Sequence, residues 1–122
     1  MIRLLFGSNS YAASQEVNEL ISVFTKEYGT AGIERLNAQS IEPSQLASLL
    51  TGATLFASQR LVIIKDFFSN KSLAEPLLQI TKNIPDTVDV VLIETHVDKR
   101  TALFKALKKS AEVQEFNELD EA

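Results

Sequence analysis

The sequence predicts an α/β fold of three layers, in which a doubly wound, five-stranded parallel sheet carries helices on both faces. Three observations carry this. The runs Ile2–Phe6, Leu61–Ile64 and Val88–Ile93 are apolar almost throughout, the mark of strands buried on both faces rather than on one. Between them, apolar residues recur at the three-and-four spacing of amphipathic helices. Strands and helices then alternate along the chain, and right-handed crossovers between parallel strands place helices on both sides of the sheet.

Taken in order, Ile2–Phe6 is interrupted only by Arg3 and closed by Gly7, so a tight turn follows the first strand. Val17, Leu20, Ile21, Phe24 and Tyr28 form one helical stripe, with Ser8, Asn9 or Ser10 available as N-cap and Gly29 as a stop. Ile33–Asn37 reads as a short second strand. Pro43 suits the first turn of a helix over Ser44–Leu50 that ends at Gly52. A small element over Thr54–Ser58 precedes the β-branched run that forms the third strand. Ser72 and Glu75 have the spacing of a capping box for a helix reaching about Asn83, with Pro76 near its first turn. Pro85 and Asp86 turn the chain into the fourth strand, Thr101–Lys109 is a helix with Leu103, Phe104 and Leu107 inward, and Val113–Phe116 is the last strand.

Composition narrows the function. With 122 residues, 45% hydrophobic and 23% charged, one compact core is expected. No stretch approaches the ~20 apolar residues of a membrane span, and the apolar start is too short for a signal peptide, so a cytoplasmic protein is expected. The absence of cysteine removes disulfides, thiolate nucleophiles and cysteine-ligated zinc, and a single histidine, His96, leaves metal chemistry with few ligands. A formal charge of −4 disfavours nucleic acid held by bulk electrostatics. Protein is the expected partner. The basic set Lys99, Arg100, Lys105, Lys108 and Lys109 reads as a solvated helix face, with any DNA contact weak or indirect.

In sheets of this kind ligands bind beyond the carboxyl ends of the strands. The first turn lies there and invites comparison with G-x-x-x-x-G-K-[ST], whose amides cradle phosphates, whose lysine neutralises them and whose hydroxyl binds magnesium. Gly7 and Ser14 hold the outer positions, but Ala12 replaces the second glycine and Ala13 the lysine. The third strand ends Ile64-Lys65-Asp66, with a cation where the acidic magnesium motif begins. The scaffold is that of a P-loop NTPase or AAA+-like module with a degenerate nucleotide site; no cofactor and no metal are expected, and no catalysis. A nucleotide-binding ATPase or switch acting through Gly7–Ser14 is the competing reading. A phospho-acceptor receiver domain, the other small doubly wound module, lacks its acidic pair, since the first strand ends Phe6-Gly7-Ser8.

Three segments in order, Ile2–Tyr11, Leu55–Ile64 and Val97–Lys109, resemble the delta subunit of bacterial DNA polymerase III over essentially the whole chain. The resemblance implies the AAA+-like N-terminal domain, over residues 1–122, of a longer three-domain clamp-loader subunit within the polymerase III holoenzyme. It implies as partners the sliding clamp (the beta subunit) and the other loader subunits. It also assigns Leu55 and Phe56 as the hydrophobic pair that inserts into the clamp and helps open it for loading on primed DNA. By residue type alone these two would pack under the sheet; an aliphatic and an aromatic anchor side by side is equally what dominates a small protein interface. His96, at the edge where related ATPases place a phosphate sensor, has no nucleotide to sense and is expected to be structural or exposed.

Overall fold

A computed structural model of the chain describes residues 1–52 and 58–117. Leu55 and Phe56, with the small element expected over Thr54–Ser58, fall in the segment 53–57 outside the described residues.

Five strands, β1 (Ile2–Phe6), β2 (Ile33–Asn37), β3 (Arg60–Lys65), β4 (Val88–Glu94) and β5 (Glu112–Glu115), form one parallel sheet in the order β2-β3-β4-β1-β5. The receiver-type arrangement, 2-1-3-4-5, is thereby excluded. The helices are α1 (Ser10–Tyr28), α2 (Pro43–Thr51), α3 (Ala74–Ile80) and α4 (Ala102–Ser110). Because β2 lies at the far edge from β5, the chain crosses the sheet outward once through α1 and returns stepwise through α2, α3 and α4. Right-handed connections running in opposite directions must use opposite faces.

The cores record this. Ile2, Leu4 and Phe6 of β1 point to the face covered by Leu46 and Leu50 of α2, Leu77 of α3 and Leu103, Phe104 and Leu107 of α4. Leu5, Leu61, Ile63 and Val91 point to the other face and meet Val17 and Phe24 of α1. The pleat sends alternate residues to opposite sides, so a strand covered on both must be apolar at every position, as β3 and β4 nearly are. The stripe of α1 overhangs at its end: Tyr28 is exposed, stacked at a tilt on Phe24.

Local chemistry sets the helix ends. Asn9 caps α1 by accepting from the Ala12 amide at 3.0 Å, and the Gly29 amide closes it on Thr25 O at 2.9 Å. Pro43 occupies the first turn of α2, where its missing donor costs nothing. The expected capping box at Ser72 and Glu75 is not formed: the chain enters α3 through a 3₁₀ turn, Lys71–Leu73, and Ser72 Oγ pairs with Asn70 Oδ1 at 2.6 Å. Leu73, fully buried, fixes that entry instead, so packing overrides the local cap. A second 3₁₀ turn, Thr81–Asn83, carries the helical stretch to the expected end. Thr101 caps α4, its Oγ1 accepting from Phe104 N at 3.2 Å.

Two charged residues are buried among those described, Arg60 at the first position of β3 and Glu94 at the last position of β4. They mark the two opposite edges of the sheet.

Candidate functional site at the carboxyl edge of the sheet

The switch point falls between β1 and β4, where α1 leaves toward one face and α4 toward the other. At that point the turn after β1 is occupied by the chain's own backbone. Gly7 N donates to Glu94 O at 3.2 Å, Asn9 N to Phe116 O at 2.9 Å, Ala12 N to Asn9 Oδ1 at 3.0 Å and Ala13 N to Asn9 O at 3.2 Å. Amides that cradle phosphate in a P-loop are spent on internal acceptors here.

The sequence comparison therefore extends into geometry. Helix α1 begins at Ser10, so Ala12, Ala13 and Ser14 sit inside its first turns rather than on a loop. Ala13, at the lysine position, is buried. Ser14 is exposed on α1 and lines a shallow depression together with Lys65, which brings its hydroxyl toward an ammonium group. Gly7 has φ +136°, and a Cβ there would stand 1.9 Å from the carbonyl oxygen of Phe116. Glycine is required at this point so that the end of β5 can close over the turn, with Phe116 N in turn donating to Phe6 O at 2.7 Å.

Glu94 was not singled out by the sequence, where it reads as the polar end of an apolar strand. Its Oε2 accepts from Phe67 N at 2.8 Å and its Oε1 from Phe68 N at 3.1 Å, while its own carbonyl holds Gly7. It thus ties β4 to the turn after β3 and to the turn after β1. Asp66, with φ +59°, makes the left-handed step that turns the Phe67 and Phe68 amides toward it; aspartate tolerates that conformation better than most residues. Burial pushes the Glu94 carboxyl up to about 7, against the two amide hydrogen bonds that favour the ion and with the Asp66 charge adding to the rise.

Beside this carboxyl opens a cleft of about 770 Å³, with Phe68, Leu78, Val97 and Leu103 among its walls. Asp66, Glu75, Glu94 and Asp98 line it against Lys71 and His96. Phosphates would meet more carboxylates than cations there. His96 is exposed, in line with its expected role. Of the basic set, Lys99 pairs with Glu115 at 3.1 Å and lies 5.5 Å from the Phe6 ring centre, and Arg100 pairs with Asp98 at 3.1 Å; both acids are drawn below their ordinary range by these partners. Lys105, Lys108 and Lys109 are exposed on α4. Among the described residues, no group of three or more acids and imidazoles could hold a metal ion, and no helix is long and apolar enough to cross a membrane.

The strand order and the position of the turn define a class: an AAA+-like α/β module in which the phosphate turn is closed by its own backbone. Within that class, the chain belongs to the family of the DNA polymerase III delta subunit, whose model matches residues 4–117. Among solved structures it is similar to the DNA clamp loader delta protein of Bacillus subtilis, with 22% identity and a TM-score of 0.75 over 97% of this chain and 38% of that one. It is also similar to a DNA polymerase III gamma subunit-related protein of Thermotoga maritima, with 13% identity and a TM-score of 0.63 over 98% of this chain and 42% of that one. At these identities the two structures speak for the fold, and the chain spans well under half of either. No curated protein matches the chain in sequence.

Two outcomes follow from this geometry. Gly7→Ala destabilises the domain by about 3 kcal/mol or more, since strain at positive φ and the collision with Phe116 act together; chemical denaturation reads this, and a near-neutral effect would show that β5 does not close on the turn. For Glu94, the folded acid titrates above its unfolded value of 4.5, so its contribution is complete below that value and is lost as pH rises through about 7. The span corresponds to roughly 3 kcal/mol. Glu94→Gln, isosteric with the neutral acid, removes this fall in stability between pH 5 and 8.5, and equal pH slopes in the two proteins would contradict the assignment.

Proposed function

We propose that the chain is the clamp-binding, N-terminal AAA+-like domain of a clamp-loader delta subunit, acting in the cytoplasm within the polymerase III holoenzyme. Leu55 and Phe56 insert into a pocket of the sliding clamp and favour an open ring, without ATP hydrolysis by this domain. The observation that carries the reading is the family match over residues 4–117. Further support comes from the carboxyl edge, where the turn amides are already bonded and the neighbouring cleft is rich in carboxylates. A module built this way has no evident means to bind nucleotide, and its partners are then proteins: the clamp and the other loader subunits, with DNA reached indirectly.

The proposed contact pair belongs to the segment between α2 and β3. Its flanking residues lie at the amino edge of the sheet, because Arg60 opens β3 and Arg60 N donates to Thr87 O just before β4. Six residues of β3 separate that edge from the closed turn, about 17 Å at the rise of a parallel strand. The clamp-binding element and the former nucleotide edge are therefore separate surfaces.

The competing reading, a nucleotide-binding ATPase or switch, draws on the retained fold and on Gly7. Calorimetric titration with magnesium and ATP separates the two: the proposal expects no heat of binding at up to about millimolar nucleotide, and micromolar binding that depends on Ser14 would reverse it. Replacing both Leu55 and Phe56 by Ala is expected to weaken clamp binding by about 30-fold or more, the effect of losing a hot spot, while stability changes by less than about 0.5 kcal/mol. Surface plasmon resonance against the clamp of the same organism and a thermal melt measure the two quantities. A large loss of stability would assign the pair to the core.

A further inference from the structure

The buried guanidinium of Arg60 takes no part in the core's apolar packing, and its bonds all go to the base of the loop that carries Leu55 and Phe56. Nη1 donates to Gly52 O at 2.9 Å, and Nη2 donates to Leu49 O at 2.8 Å and to Glu34 Oε1 at 2.6 Å. Gly52 is the residue at which α2 ends, its amide bonded to Ser48 O at 2.9 Å, and Arg60 is the residue at which β3 begins. One side chain thus joins both ends of the segment 53–59, and it does so at the C-terminus of α2, where unpaired carbonyls and the helix dipole favour a cation.

We propose that Arg60 is a positioning residue for clamp binding: it closes the base of the loop and so holds the α2–β3 connection ready for the clamp, without touching the clamp itself. This rests on the function proposed above. The physical reason is entropic. A loop whose two ends are fixed has fewer conformations to lose on docking than one hinged at a free helix end, and that saving appears as affinity. Arginine suits the task because its planar fork reaches two carbonyls and a carboxylate at once, whereas the point charge of lysine cannot satisfy all three in fixed directions. Glu34, on the neighbouring strand β2 and only partly exposed, orients the guanidinium from the side away from the helix end.

The test is a double-mutant cycle on the whole chain, with clamp affinity measured for Arg60→Met, Leu55→Ala and the pair together. Arg60→Met keeps the aliphatic stem and removes the donors; it is expected to weaken binding about tenfold, and to weaken it clearly less when Leu55 is already Ala. A purely structural role would give losses that add, and additive losses overturn the proposal, as does unchanged affinity in Arg60→Met. Where the Met variant fails to fold, Arg60→Lys retains the charge opposite Glu34 and is expected to lose affinity by an intermediate factor; Lys binding as well as Arg then decides against the proposal. Synthetic peptides spanning residues 53–60, with Arg or Met at the last position, compete for the clamp equally if Arg60 only positions the loop, and a weaker Met peptide shows direct contact instead. Full affinity in the Leu55→Ala/Phe56→Ala protein would reject the clamp reading itself, which separates that failure from a failure of Arg60 alone.

Discussion

Burial of the sheet on both faces is the constraint from which the rest of the structure follows. A parallel sheet with helices on each side leaves no wet face, so every residue of β3 and β4 that points to a helix must be apolar and polar atoms are confined to the two edges. Those edges must then satisfy their own donors and acceptors. At the carboxyl edge Glu94 accepts two amides and its carbonyl a third; at the amino edge Arg60 supplies donors to the end of α2. The two buried charges differ in sign because the groups left over differ. Turns after strands leave N–H groups pointing inward, whereas a helix arriving before a strand leaves carbonyls.

This explains what the sequence showed and what it hid. Double-sided burial prints as unbroken apolar runs, so β1, β3 and β4 and the α/β class were legible at once. Strand order was not, because alternation of elements is the same for 2-3-4-1-5 and 2-1-3-4-5; only the packing of α1 apart from the other helices distinguishes them. Arg60 and Glu94 escaped notice for a common reason. Each sits at the boundary of an apolar run, where a charged residue looks like the point at which the strand meets water. A lone charge ending a run that is covered on both faces is a different signal, since covering helices extend past the strand ends. The capping box misread at Ser72 and Glu75 has a related cause: the spacing was right, but burial of Leu73 set the entry to α3 one turn differently.

The degenerate turn shows how a fold can be kept after a ligand site is gone. Substituting Ala12 and Ala13 for glycine and lysine removes a cation and a close approach, yet leaves several amides that would still need acceptors. Asn9 and the end of β5 supply them. Gly7 survives in the motif's first position for a different reason from the usual one, since the backbone it admits is that of Phe116 rather than a phosphate. Retention of that glycine is therefore poor support for nucleotide binding, and the motif's outer residues mislead when the inner ones are missing.

The separation of the two edges bears on how such a domain could serve in a larger machine. In an active P-loop module the state of the nucleotide changes the carboxyl edge, and the change must reach partners through the sheet. Here the edge is locked by internal bonds that a nucleotide would have to break, among them the contacts of Glu94 with the turn after β3. Under the proposed reading, any signal to the clamp-binding loop comes from forces that other subunits exert on the domain as a unit. The stiff element available for that purpose is the sheet, with β3 running from Glu94's neighbourhood at one end to Arg60 at the other. A rigid body of this kind presents the loop at an angle set by whatever holds it, and needs no conformational change of its own.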